Sequence, residues 1–311
     1  MGRAGVERSE TNPGLNVQPN GEGGSLFVAK ESLCNPRKEQ IEWWKNAPER
    51  VHPYDADDFL DAEGNVLYRY ERGSRLLIGD ETKEKVIEVM DSCQTPWANA
   101  TVDRAFEELG IKDRPINVLE RGFGMGIIAT KIIQNLVPRG GTYTVIELNK
   151  ADADFARREW KPRQLRALTN MARGIRGGTS DPSIIPNITI NIIEGDAYEE
   201  TARLAEAGAK FDIIISDTYP LTEAERGMND LLDLETLKRC LDPKGVFAFF
   251  AHFPGSTEEV AYKQSNLIAR HFGEYKTSRA TINPPRDYKY LQPDTGPVRS
   301  LPVVVCKNPT P

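Results

Sequence analysis

From about residue 115 onward, apolar runs alternate with stretches of helical periodicity. Seven runs predict strands: Ile116–Glu120, Thr142–Leu148, Ile188–Gly195, Phe211–Asp217, Gly245–His252, Glu274–Ile282 and Leu301–Lys307. Segments that read as helices join the first five, which is the alternation of a parallel sheet built from βαβ units. Ile127 to Val137 is the plainest of these, an amphipathic helix. Asn283 to Ser300, between the last two strands, contains proline and glycine and is too irregular for a crossover helix. The final strand is therefore expected to run antiparallel. The expected architecture is α/β: a Rossmann-like, mostly parallel seven-stranded sheet with an antiparallel last strand.

Upstream the pattern changes. Residues 1–37 are rich in Gly, Asn, Pro, Ser and Glu and read as a disordered tail, because they bury too little apolar surface to offset ordering. Residues 38–110 read as a separate N-terminal lid and acceptor region, mainly helical, placed before a ligand-binding domain over 111–311. Within the lid, Lys38 to Lys45 carries Trp43 and Trp44 on a helix. Phe59–Leu60 and Val66–Tyr68 read as short strands around a turn. Lys83 to Met90 and Ala98 to Leu109 read as helices, with Thr95 as candidate cap and Pro96 in the first turn of the second.

Charge narrows the partners. The 311 residues carry a formal net charge of −6, which argues against nucleic acid. The basic stretch Arg157 to Arg166 reads as a solvated helix face. Cys34, Cys93, Cys240 and Cys306 form no C-x-x-C pair, and His52, His252 and His271 stand far apart, so no metal-site spacing is visible. Unpaired thiols, no signal segment and no membrane-length apolar run make a cytoplasmic protein the expectation, without a membrane partner. Sequence does not fix the oligomeric state; a homodimer is compatible with it.

In open parallel sheets, ligands bind beyond the carboxyl ends of the strands. The first predicted strand ends in Glu120-Arg121-Gly122-Phe123-Gly124-Met125-Gly126. Glycines let a backbone close on a ligand, and the following helix start offers free N–H groups. The G-x-G-x-G spacing departs from the dinucleotide pattern G-x-G-x-x-G, and a strand-end acid repels pyrophosphate but holds a cationic amine. S-Adenosylmethionine fits, with its ammonium and sulfonium charges; S-adenosylhomocysteine would be the product. At the second strand end Glu147 suits ribose hydroxyls. At the third, Asp196 and Ala197 suit the adenine, although Asp196 equally suits a helix cap. Asp217 and Tyr219 follow the fourth strand, and His252 ends the fifth.

Val118 to Met125, Ile146 to Asn149 and above all Phe211-Asp212-Ile213-Ile214-Ile215-Ser216-Asp217-Thr218-Tyr219-Pro220-Leu221 resemble guanidinoacetate N-methyltransferase. Val89 to Trp97 and Asn283 to Tyr290 extend the resemblance over roughly residues 75 to 307. It implies a class I methyltransferase fold, donor contacts from Met90, Gly122, Gly124 and Glu147, and an acceptor contact from Asp217. One departure matters: where the family has a glutamate before T-P, this chain has Gln94.

A guanidinium, with a pKa above about 12, must lose a proton to act as a nucleophile, costing on the order of 7 kcal/mol near neutral pH. Two carboxylates can grip and relieve it; one carboxylate beside an amide does so less well. A thioether needs only alignment and a dry site. The chain thus also resembles the bacterial methionine S-methyltransferases that begin one route to dimethylsulfoniopropionate. Under that resemblance Asp217, Tyr219 and Gln94 form the reacting site. Trp43, Trp44, Trp97, Asp217, Tyr219, His252 and Arg286 receive the acceptor, with Arg72 and Arg75 as alternative carboxylate partners. Trp43 and Trp44 equally suit helix packing, and His252 a structural role. The implied activity is methyl transfer from S-adenosylmethionine to a small acceptor: the sulfur of L-methionine first, a guanidino nitrogen second. A non-catalytic donor-binding partner subunit is the alternative from another class.

Overall fold

The computed structural model describes residues 50–51, 68–72, 75–79, 86–111, 113–174, 187–218, 228–251, 258–282 and 300–310. The first strands are β1 (Arg50–Val51), β2 (Tyr68–Arg72), β3 (Arg75–Gly79) and β4 (Val86–Asp91), paired antiparallel in that order. The helix expected over Lys83 to Met90 is strand from Val86 on, and its first three residues lie outside the described ones. The run Val-Ile-Glu-Val-Met-Asp is β-branched and short, and pairing with β3 decides it. Among the described residues, the region expected to be a helical lid contributes a small sheet and then one helix, α1 (Thr95–Leu109). Thr95 is that helix's first residue rather than its cap, and its hydroxyl donates to the Ser92 carbonyl at 2.6 Å.

Beyond α1 come β5 (Ile116–Arg121), α2 (Ile127–Leu136) and β6 (Gly141–Glu147). A long helical stretch follows: α3 (Lys150–Phe155), a π-type turn (Ala156–Trp160) and α4 (Lys161–Gly174). Then come β7 (Ile188–Glu194), α5 (Ala197–Glu206), β8 (Phe211–Ser216), α6 (Leu234–Cys240), β9 (Leu241–Phe249), α7 (Glu258–His271), β10 (Phe272–Thr281) and β11 (Ser300–Pro309). The sheet order is β10-β11-β9-β8-β5-β6-β7, and β11 runs antiparallel to both neighbours. All seven predicted strands are present, with the expected antiparallel last strand. Chain order reverses at β5, which lies between β6 and β8 in parallel pairing. That is where an open α/β sheet leaves a crevice.

Both faces of the sheet are covered. Val118, Tyr143, Val145 and Ile213 face Val102 and Phe106 of α1 and Ile128 and Ile132 of α2. Leu119, Ile146, Ile214 and Phe247 face Leu234 and Leu237 of α6. Such burial on both sides explains why the central strands read as near-continuous apolar runs. Trp97 belongs to this packing. It is fully buried, its indole N–H donates to the Pro302 carbonyl at 2.8 Å, and its ring meets Phe250 edge-on at 4.4 Å. Trp97 thus fastens α1 to β11, a packing role in place of the open pocket wall that the sequence suggests, and its part in receiving an acceptor is a proposal.

Candidate active site at the carboxyl ends of the strands

The ladder continues one step past the strand ends. Gly122 N–H donates to Ile146 O (2.9 Å), Gly195 N–H to Glu147 O (3.0 Å), Asp217 N–H to Arg121 O (2.9 Å) and Phe250 N–H to Ser216 O (3.0 Å). These bonds align Gly122, Glu147, Gly195 and Asp217 along one rim above the point where strand order reverses.

The turn Gly122 to Gly126 is tight for a visible reason. Gly122 has φ +86°, and a Cβ there would stand 2.4 Å from the Asp217 carbonyl oxygen. Only glycine lets the backbone pass the end of β8. Its amides are used within the protein. Phe123 and Gly124 donate to Oε2 of Glu147 at 2.7 and 3.3 Å, Met125 to Sδ of Met90 at 3.4 Å, and Gly126 to Phe123 O at 2.8 Å. With Gly122 bonded to Ile146, the whole turn directs its N–H groups inward. The turn's own amides are therefore taken up, and those left for a ligand belong to the first turn of α2, from Ile127 onward.

What the rim carries instead is carboxyl groups. Glu147 is buried, and its Oε1 accepts from Asn149 N–H at 2.8 Å while Oε2 holds the turn. Asn149 in turn caps α3 through Ala151 and Asp152. Part of Asp217 meets solvent, but its carboxyl is surrounded by protein; burial first, then the charge of Asp230, pushes it up to about 8. Asp230 lies in the short 3-10 turn Asn229–Leu231 and is buried. Burial raises it above the ordinary carboxyl range, against hydrogen bonds from Thr218 and Ser216.

Glu120, expected to hold a ligand amine directly, is withdrawn from the rim. Strand alternation turns it to the face of Val118 and Tyr143. It is fully buried, with one oxygen accepting from the Tyr143 hydroxyl at 2.5 Å. Among the described residues its Oε1 meets no protein donor. Burial, and after it the charges of Asp217 and Glu147, raises it well above the usual range, opposed by the Tyr143 bond. It supports the floor of the site.

On the opposite face Arg121 is fully buried, bonded to Asp233 at 3.0 Å and 5.1 Å from the centre of the Tyr198 ring. Carboxyls from β5, β6, β8 and the Asn229–Leu231 turn thus converge, and the buried guanidinium beside them is already bonded to a further acid.

The remaining expected residues divide. Met90 brings the end of β4 onto the glycine turn, its Sδ 3.2 Å from where a Gly124 Cβ would stand. Phe123 presents only its backbone; its ring packs edge-on against Trp160 at 5.3 Å. Asp196 is the cap of α5, accepting from Tyr198 and Glu199 amides at 2.8 and 3.1 Å, and Ala197 starts that helix. Gln94, expected among the reacting groups, closes the Ser92–Gln94 turn by accepting from Asp91 N–H at 3.5 Å. A buried amide engaged in a capping box holds the turn before α1, and a part for Gln94 among the reacting groups is a proposal beside that role. Arg72 and Arg75 are backbone register partners at the β2–β3 connection. Trp43, Trp44, Tyr219, His252 and Arg286 lie outside the described residues. Tyr143, Arg121 and Asp230 went unrecognised in the sequence. Tyr143 looks like any core position, and Asp230 sits in a polar connection without periodicity.

No protein-family model matches the chain, and no curated protein matches its sequence. Solved structures do match. Spermidine synthase from Thermotoga maritima superimposes with a TM-score of 0.50 and 12% identity, over 83% of this chain and 72% of that one. A spermidine synthase in complex with the transition state analogue AdoDATO gives 0.50 and 13%, over 83% and 71%. The chain has a Rossmann-like fold similar to that of spermidine synthase. Human methyltransferase-like protein 13 in complex with SAH aligns more loosely, with a TM-score of 0.40 and 15% identity over 69% of this chain and 81% of that one. Identities this low speak for the fold alone.

Proposed function

We propose that the chain is an S-adenosylmethionine-dependent methyltransferase acting on a small amino-acid-like acceptor, with the sulfur of L-methionine as first candidate. One observation supports the reading: the amides of the glycine turn are taken up within the protein, while the acids Glu147 and Asp217 gather at neighbouring strand ends beside it. Such a site repels phosphates and favours a cation. The donor's sulfonium and ammonium meet that requirement. The residues present fit it: a glycine turn that a Cβ would block, a Glu120 oxygen beneath it that meets no donor among the described residues, and Glu147, Asp196 and Asp217 at successive strand ends.

S-Adenosylmethionine supplies a methyl group on a positively charged sulfur, open to in-line displacement. The protein's part is placement and electrostatics. Met90 and the glycine turn shape one wall. Glu147 stiffens that wall and is assigned to the ribose hydroxyls, Asp196 and Ala197 to the adenine edge. Asp217 is assigned to the cationic group of the acceptor, the α-ammonium in the case of methionine.

A second reading, transfer to a guanidino or other nitrogen, is favoured by Asp217 itself. A carboxyl near 8 is well matched to taking a proton from nitrogen near neutral pH, a service a thioether does not need. Titrating S-adenosylhomocysteine by calorimetry tests the donor site, and heat of binding is expected. Incubation with donor and either L-methionine or guanidinoacetate, followed by mass spectrometry, separates the acceptors. Donor binding with neither product formed would favour the partner-subunit alternative.

A further inference from the structure

Asp230 is a buried acid that the reading above leaves without a task. Its Oδ1 accepts from three donors at once: Ser216 Oγ at 2.8 Å, Thr218 N–H at 3.1 Å and Thr218 Oγ1 at 2.7 Å. Those donors lie on either side of Asp217, so one oxygen clamps the backbone that carries the rim carboxyl. Ser216 is fully buried and Asp230 nearly so, which leaves the clamp little freedom. Mere turn closure does not require an acid: an amide oxygen accepts the same three bonds. A carboxyl sets a second buried acid beside the first.

We propose that Asp230 is a positioning residue that fixes where Asp217 stands and, by its own charge, makes Asp217 hold its proton until a cation enters the crevice. The inference rests on the functional reading for the cation's identity, but not for the coupling between the two acids. Among the described residues, the charged groups around the pair are Glu120 and Arg121 on β5, Glu147 on β6 and Asp233 before α6. Arg121 faces Asp230 and favours its ionised form, while Asp217 faces Asp230 and Glu120 as like charges. With three donors on its Oδ1 and Arg121 before it, Asp230 is the acid of the pair better equipped to carry charge, and Asp217 the one better equipped to keep the proton. A cation at Asp217 reverses the preference and sends the proton to solvent.

The test is a carboxyl ¹³C NMR titration of protein labelled at aspartate, with Asp217→Asn identifying the Asp217 signal. In Asp230→Asn the three bonds can persist and the charge is gone. The Asp217 midpoint is expected to fall by about one pH unit or more, a tenfold change in its ratio of ionised to protonated form at a given pH. An unchanged midpoint overturns the proposal, since a purely structural clamp leaves titration where it was. Should Asp230→Asn fail to fold, the unmodified protein decides: the Asp230 signal must show a second inflection at the Asp217 midpoint, as coupled acids do, and a single independent curve overturns it. S-Adenosylhomocysteine binding is measured on the same sample. Coupled carboxyls without any heat of binding would remove the donor-site reading and leave the role of Asp230 standing.

Discussion

Glu147 Oε2 accepts the amide hydrogen of Phe123 at 2.7 Å, tying the end of β6 to the glycine turn that follows β5. The same oxygen takes the Gly124 amide at 3.3 Å, and Oε1 takes that of Asn149. A residue read as a ribose ligand is also what gives the turn its shape. Glu147→Ala leaves buried amides without acceptors, at roughly 1–3 kcal/mol each. It should weaken S-adenosylhomocysteine binding by about tenfold or more and lower the melting temperature. Glu147→Gln, which keeps one acceptor oxygen, should fall between, and calorimetry with thermal melts on the three proteins measures the order.

Gly122 admits no side chain. Gly122→Ala would place a methyl 2.4 Å from a backbone carbonyl in a left-handed conformation. Strain of this kind costs of order 1–3 kcal/mol before the clash is relieved, and the relief must move Asp217 away from β5. The expected outcome is a lower melting temperature together with lost donor binding. Unchanged binding in a destabilised protein would show that the rim tolerates that movement.

The pH dependence of stability follows from Asp217. Its carboxyl stands near 8 in the folded protein against an ordinary value of 3.8. The folded state therefore keeps a proton that the unfolded chain releases between those values. This contribution to stability is complete below pH 3.8 and is lost as pH rises toward 8. Asp217→Asn removes this share of the dependence and leaves that of the other raised acids, Glu120, Asp230 and Asp233. Relative to the parent, the variant should gain stability steadily from pH 4 to pH 8, a trend that chemical denaturation at about five pH values resolves.

Trp97 separates packing from pocket. Trp97→Phe removes the bond to Pro302 O and part of the edge contact with Phe250. It should cost about 1–3 kcal/mol in stability. S-Adenosylhomocysteine affinity, measured well below the melting temperature, should stay within about twofold of the parent, since distant sites act independently. A large loss of affinity would instead place the indole within reach of the ligand.

Hydrophobic periodicity alone determined the seven strands, their alternation with helices and the antiparallel last strand, because a sheet covered on both faces writes its burial directly into the chain. It also located the glycine turn, where an L side chain has no room. The alternation visible within β5 did not reveal which acids line the site: Glu120 and Glu147 look equivalent in sequence, yet one turns down to Tyr143 and the other up to the turn. Val86 to Asp91 became strand through pairing with β3, a contact that short local pattern does not encode. Gln94 and Trp97 resembled pocket residues by position, and their hydrogen bonds place them in a turn and in the core. Asp230 reached Asp217 only through the fold, across a connection of unremarkable sequence. Local propensity sets elements, whereas the partner of a buried charge depends on residues far away in the chain, and tertiary packing alone brings them together.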